Sequence, residues 1–240
     1  MSDRDYIEQI IAGGCDVGCV LDDAQATILL QYVIAVIEAN RSTNLTRISD
    51  LDSAIRLHVV DSLSAATELQ RAPAGALLDM GSGGGFPGVP LSVQSARPTV
   101  LLDSVAKKMA VVQVILETML LSDQVRTLGA RAEEHAAESP LAYSAVTARA
   151  VAPLSSLVEL ASPLLVLGGL FIAMKGRPDG QELTAGREAA GLVGLEQESV
   201  RAFELPGGCE SRTIVCYRRT GEPRVRLPRR VGLAQHQPLV

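Results

Sequence analysis

At 240 residues, 47% hydrophobic and 20% charged, the chain holds enough apolar material for one α/β domain and too much for a disordered one. Its longest apolar run, residues 164–174, contains two glycines and is too short to cross a bilayer, and the start Met1-Ser2-Asp3-Arg4-Asp5 lacks a signal-peptide pattern. The net charge of −5 hides an asymmetry, because residues 212–232 carry seven arginines against one acid, Glu222. Such a basic end favours an anionic partner, with solvated tail arginines as the alternative. Cys15, Cys19, Cys209 and Cys216 show no C-x-x-C spacing, so no metal is expected and free cytoplasmic thiols are.

Residues 3–12 read as a short helix, followed by a loose Gly/Cys stretch. Asp22-Asp23 can cap a second helix, where Ile28, Leu29, Tyr32, Val33, Val36 and Ile37 recur at helical spacing. After the polar break 40–46, a third helix is predicted over 52–69, with Ile55, Val59, Leu63 and Ala66 on one face and Arg56, His58, Asp61 and Ser62 as its polar residues. From residue 76 the pattern alternates. Strands at 76–80, 99–103, 124–128, 144–148 and 170–175 are interleaved with helices at 87–95, 106–120, 131–137, 154–165 (broken by Pro163) and 180–190. Two further strands, near 198–204 and 212–217, flank the hairpin signal Pro206-Gly207-Gly208. This order predicts an α/β fold with a doubly wound, mostly parallel seven-stranded sheet and an antiparallel C-terminal edge strand. It divides the chain into a helical extension at 1–72, a core at 73–220 and a basic tail at 221–240.

The stretch following Leu77-Leu78-Asp79-Met80 places five glycines in eight residues, 81–88. A strand, a glycine turn and a helix start together make a nucleotide-type pocket. Gly83-Gly84-Gly85-Phe86-Pro87-Gly88 satisfies the dinucleotide pattern G-x-G-x-x-G, and Asp103, twenty residues beyond Gly83, stands where a ribose-binding acid belongs. That match leaves NAD and S-adenosylmethionine both open. Asp79 separates them: a carboxylate two residues before Gly81 would repel a pyrophosphate but suit the ammonium at the methionine end of S-adenosylmethionine. The unit Asp79-x-Gly81-x-Gly83-x-Gly85 resembles the first motif of class I, Rossmann-like methyltransferases.

Further segments occur in a telling order. They are Asn44-Leu45-Thr46, residues 56–63, the glycine turn with Phe86-Pro87-Gly88, Leu102-Asp103-Ser104 with Lys107-Lys108, residues 129–134, Ala148-Arg149-Ala150, and Pro228-Arg229-Arg230-Val231-Gly232-Leu233. Together they resemble the glucose-inhibited division protein B family, bacterial methyltransferases acting on guanine N7 of small-subunit (16S) ribosomal RNA. The resemblance covers roughly residues 40–239. It implies that Gly81, Gly83 and Phe86 line the S-adenosylmethionine site, with Asp79 at its methionine end. It places Asp103 and Ser104 at the ribose, Ala132 and Glu133 beside the adenine, and Arg149 on the open side facing substrate. One departure is Ser144, where the family usually has an Asp.

Guanine N7 carries an in-plane lone pair and no proton, so the implied reaction needs alignment and no general base. His58 with Asp61 looks like an acid–base pair, yet such a reaction gives it no proton to move; positioning by His58, Phe86, Pro87 and Arg149 is expected instead, with a structural His–Asp pair as the alternative. For the RNA the candidates are Arg41, Arg47, Arg56, Lys107, Lys108, Arg218, Arg219, Arg229 and Arg230, which would grip phosphates and read little sequence. A monomer without metal or membrane contact is the corresponding expectation. Two other readings stay open: an NAD(P)-dependent oxidoreductase, and an RNA-binding factor that keeps the fold without turnover.

Overall fold

The computed structural model describes residues 1–149, 151–208 and 210–240. Seven strands form one sheet: β1 (Leu77–Met80), β2 (Thr99–Asp103), β3 (Val125–Gly129), β4 (Tyr143–Arg149), β5 (Leu165–Lys175), β6 (Leu195–Glu204) and β7 (Ser211–Arg219). Their order is β3-β2-β1-β4-β5-β7-β6. The first five pair in parallel, and β7 lies antiparallel to both β5 and β6. The predicted antiparallel closing hairpin is therefore present at the edge, but its last strand, β7, lies inward between β5 and β6, so β6 and not the C-terminal strand is outermost. The direction in which strands are added reverses at β1, with β2 and then β3 laid down on one side of it and β4 on the other. In open α/β sheets, ligands bind at the strand ends beside such a switch point.

Before the sheet come α1 (Asp3–Asp16), α2 (Asp23–Asn40), α3 (Leu51–Ala54), α4 (Asp61–Leu63) and α5 (Ala66–Leu69). Asp22 caps α2 as expected, accepting from Gln25 N while the Gln25 side chain returns to the Asp22 backbone. The loose Gly/Cys stretch is helical instead, because a side chain at Gly13 would meet Val60 at 2.6 Å, so the bare backbone lets α1 close onto the third helical segment. The single helix expected over 52–69 is broken, with Ile55–Val60 in a π-turn between α3 and α4. π-turns recur at functional sites.

The remaining helices cover the sheet. They are α6 (Gly88–Ser95), α7 (Ala106–Thr118), α8 (Ala132–Glu138), α9 (Leu154–Ala161), α10 (Gly180–Leu192) and α11 (Leu233–His236). One buried cluster joins α1, α2, α6 and α7 to one sheet face through residues such as Leu29, Val36, Leu91, Leu101 and Val112. A second joins α8, α9 and α10 to the other face and also takes in Ala234 of the tail. The expected helix 154–165 ends early: Pro163 sits in a 3-10 turn that leads directly into β5. Gly168-Gly169 is a bulge inside a longer β5, where pairing with β4 jumps from Tyr143↔Leu165 to Ala145↔Leu170.

Among the described residues no helix is long and apolar enough to cross a membrane, and no group of three His, Cys, Asp or Glu side chains could hold a metal. Cys15, Cys19 and Cys216 are unpaired thiols; Cys209 and Ala150 lie outside the described residues.

Candidate active site

The glycine turn is fixed from four sides. Gly81 N and Ser82 N donate to Leu102 O at 2.7 and 3.0 Å, which ties the turn to β2. Gly81 has φ +80, and a Cβ there would stand 2.4 Å from Val151. Gly85 has φ +87, and a Cβ there would overlap the Tyr32 hydroxyl, which donates to Gly84 O at 3.0 Å. No L side chain fits either position without moving its neighbours. Tyr32 reads in the sequence only as one apolar position of α2, so its hydrogen bond to the turn had no signal there. Leu45, from Asn44-Leu45-Thr46, lies over the same turn, where a Cβ at Gly84 would come to 3.6 Å from it.

Asp79 is fully buried. Its carboxylate accepts from Gly88 N at 2.8 Å, at the start of α6, and from the Thr147 hydroxyl at 3.3 Å. Burial pushes its pKa up to about 6, against the pull of these hydrogen bonds. The side chain expected at a ligand ammonium thus braces the turn that surrounds it.

On the β2–β3 side of the turn, Asp103, Ser104, Ala132 and Glu133, the four residues expected at the ribose and adenine, line one groove together with Gly81. Asp103 accepts from Gly83 N (3.0 Å) and Val105 N (2.9 Å), one bond per oxygen, which leaves lone pairs for a diol. Met80, Leu102, Val151 and Leu160 supply an apolar wall. Glu133 accepts from Gly232 N at 2.8 Å, so the tail already touches it. This donor set suits an adenosine: an acid for hydroxyls, apolar walls for a ring, and a turn into which no Cβ intrudes.

On the β4–β5 side a cavity of about 340 Å³ opens beneath His58, Asp61, Arg149, Lys175 and Arg212. The π-turn presents His58 with its ring stacked on Phe86, centroids 4.6 Å apart. Arg149 lies over the same ring at 6.0 Å, and the Phe86-Pro87 peptide is cis. Asp61 joins the arginines, accepting from Arg149 Nη1 at 3.1 Å and Arg212 Nε at 2.8 Å. His58 makes no bond to Asp61. Its Nδ1 faces Arg149 Nη2 at 3.3 Å, and since a guanidinium only donates, Nδ1 must accept. Nε2 then carries the proton and meets Thr46 Oγ1 at 2.6 Å. Burial, and next the Arg149 charge, push the His58 pKa down to about 4. The apparent acid–base pair is thus a neutral imidazole beside a separate Arg–Asp–Arg bridge. Arg212 was not among the candidate site residues, because nothing in sequence spacing links positions 61, 149 and 212.

The basic candidates for RNA divide. Arg47, next in the chain to Ile48 of the charged cavity, and Lys107, three residues after Ser104 of the groove, are exposed, with Lys108 half-buried, and Arg41 is exposed but paired with Glu38. Arg230 is exposed on the tail. Arg56 is bound to Glu210, and Arg218 to Glu198 and Gly168 O. Arg219 is buried and donates to Ser162 O and Leu165 O, and Arg229 grips the buried Glu159 carboxylate. The charge concentrated at residues 212–232 is therefore partly structural. Ser144 lies at the opposite end of the sheet, where its hydroxyl accepts from Arg97 at 3.0 Å and donates to Ala76 O.

Residues 25–214 match the family model described as rRNA small subunit methyltransferase G. The chain belongs to that family. A ribosomal RNA small subunit methyltransferase G from Chloroflexus aggregans is 37% identical over 226 residues, 92% of this chain and 93% of that protein. The protein of the same name from Deinococcus radiodurans is 37% identical over 238 residues, 97% of this chain and 92% of that one. Among solved structures, geranyl diphosphate C-methyltransferase from Streptomyces coelicolor in complex with S-adenosyl-L-homocysteine superposes with a TM-score of 0.52 at 14% identity, covering 67% of this chain and 80% of that one. The chain thus has the class I, S-adenosylmethionine-dependent methyltransferase fold, as its glycine turn led one to expect. Membership removes the support for a nicotinamide cofactor that the G-x-G-x-x-G match had lent.

Proposed function

We propose that this protein transfers the methyl group of S-adenosylmethionine to N7 of a guanine in small-subunit ribosomal RNA, as a cytoplasmic monomer. Family membership supports the rRNA substrate. The observation that supports N7 is the cavity beside Phe86, which offers no free base: His58 has both ring nitrogens engaged, and both Asp61 oxygens face arginines. An acceptor that must lose a proton would find no residue there to take it, whereas N7 has none to lose. When bound, the sulfonium supplies an activated methyl.

The chain's own residues would do the rest. Asp103 and Ser104 hold a ribose, and the Gly81–Phe86 turn carries the backbone past the reacting end. His58 and Arg149 wall the base cavity, and the buried Phe86 ring, stacked on His58 with Arg149 6.0 Å from its centroid, backs them and excludes water. Methylated N7 makes the base cationic, so Arg149 must not face it as a bare charge; Asp61 offsets that charge. Arg47, Lys107, Lys108 and Arg230 would hold phosphates around the two openings.

The test is transfer of labelled methyl from S-adenosylmethionine to small-subunit RNA or subunits, followed by nucleoside separation. Label comigrating with 7-methylguanosine is expected. Label on another ribonucleoside would overturn the N7 assignment, and label on protein alone would overturn the substrate.

A further inference from the structure

The C-terminal segment is fastened over the adenosine-side groove at two points. Arg229 donates Nε and Nη2 to the Glu159 carboxylate at 2.7 and 2.6 Å, and Glu159 is only 3% exposed. Pairing of this kind matters because a lone buried carboxylate is costly. Beyond it, Gly232 N donates to Glu133 Oε1, and α11 follows with Ala234 buried against α9. This placement brings Gln235 to the rim of the groove, level with Gly81, Asp103 and Ser104. The Gln235 carboxamide is exposed and makes no hydrogen bond to any described residue. The other polar side chains at the groove, Asp103, Ser104, Arg131 and Glu133, come from the end of β2 and the start of α8; this one arrives from the far end of the chain.

We propose that Gln235 is a cofactor-binding residue, and that its carboxamide oxygen accepts a hydrogen bond from the exocyclic amine of adenine. The groove's apolar wall takes the flat faces of a purine, and Asp103 fixes the ribose at the β2 end, so the base edge points away from β2 toward α8 and the tail. An adenine edge presents an N–H donor beside a ring-nitrogen acceptor, and a carboxamide offers the complementary acceptor and donor in one plane. Glu133, already bonded to Gly232, sets the height of the tail above the groove. The tail is then part of the cofactor site, and binding should tighten it.

The inference rests on the S-adenosylmethionine reading, and the experiment separates the two. Affinity of the full-length protein for S-adenosylhomocysteine is measured by calorimetry, for wild type and Gln235→Ala, and repeated with the analogue in which purine replaces adenine, lacking only the amine. Wild type should bind S-adenosylhomocysteine about five-fold tighter than the analogue, the size of one neutral hydrogen bond, and Gln235→Ala should bind the two about equally. If the amine is worth the same factor in both proteins, Gln235 does not contact it and the proposal fails. Failure of wild type to bind S-adenosylhomocysteine at all would instead remove the cofactor reading. Hydrogen exchange gives an independent check: amides of residues 229–237 should slow when S-adenosylhomocysteine is added, and unchanged exchange would refute closure of the tail.

Discussion

On one side of the glycine turn, the groove at Gly81 is made from backbone, apolar walls and acids that keep spare lone pairs. On the other, the cavity under Arg149 is made from charges that depend on one another. The first collects residues that end or closely follow β1, β2 and β3, as Gly81, Asp103 and Ala132 do. The second joins the π-turn, the end of β4 and the start of β7, with Asp61 held between two guanidiniums. A change in the groove should therefore alter ligand affinity with modest cost to the fold, whereas a change in the charged bridge should damage stability and activity together.

The largest effect should come from the bridge. Asp61 is 3% exposed, and Asp61→Ala leaves two partly buried guanidiniums without their carboxylate. A loss of about 3–5 kcal/mol in urea unfolding is expected, together with loss of methyl transfer. A stable, active alanine variant would show that the bridge is incidental. On the groove side, Gly81→Ala forces an unfavourable φ and a Cβ against Val151. Its unfolding free energy should fall by about 1–3 kcal/mol, and affinity for S-adenosylhomocysteine by about ten-fold or more. Equal affinity would place the ligand elsewhere.

A subtler effect is expected with pH. The folded His58 pKa of about 4 lies below its ordinary 6.5, so the unfolded chain binds this proton first as pH falls. Its contribution is complete above pH 6.5 and is lost progressively down to about 4. Asp79 acts in the opposite sense: with a folded pKa of about 6 against an ordinary 3.8, its contribution is present below 3.8 and lost as pH rises through 6. His58→Asn removes the first dependence alone, so the stability margin of wild type over the variant should be smaller at about pH 4.5 than at about pH 7.5. A margin independent of pH would mean that the ring is not held neutral by the fold. The smallest effect belongs to the surface. Lys107→Glu should weaken RNA binding only a few-fold and reduce the salt slope by about one, with S-adenosylhomocysteine affinity unchanged. A larger loss confined to one RNA sequence would indicate base reading instead of phosphate contact.

Most of the sheet was legible in the chain because alternating apolar strands and amphipathic helices carry their period locally, and the breaks at Pro163 and the 206–208 turn are written in single residues. The errors have physical causes. The π-turn at Ile55–Val60 keeps helical composition while shifting which residues share a face, so His58 and Asp61 part company despite their spacing. Gly168-Gly169 reads as a turn by composition, yet the flanking residues pair with β4 on both sides. Arginines 219 and 229 look like surface charge because sequence carries no record of the carbonyls and carboxylate that receive them.

By itself the sequence determined the glycine turn, the acid before it, the acid twenty residues on and the class of fold that follows, since each depends on residues near one another along the chain. Only the tertiary structure decided which charges are spent inside the molecule, that Tyr32 and Leu45 close the turn from the helical extension, and that the tail returns to the adenosine groove. Those contacts join positions separated by fifty residues or more in several cases, as between Tyr32 and Gly84 or Glu133 and Gly232, and hydrogen bonding and burial at such range follow from packing, not from local pattern.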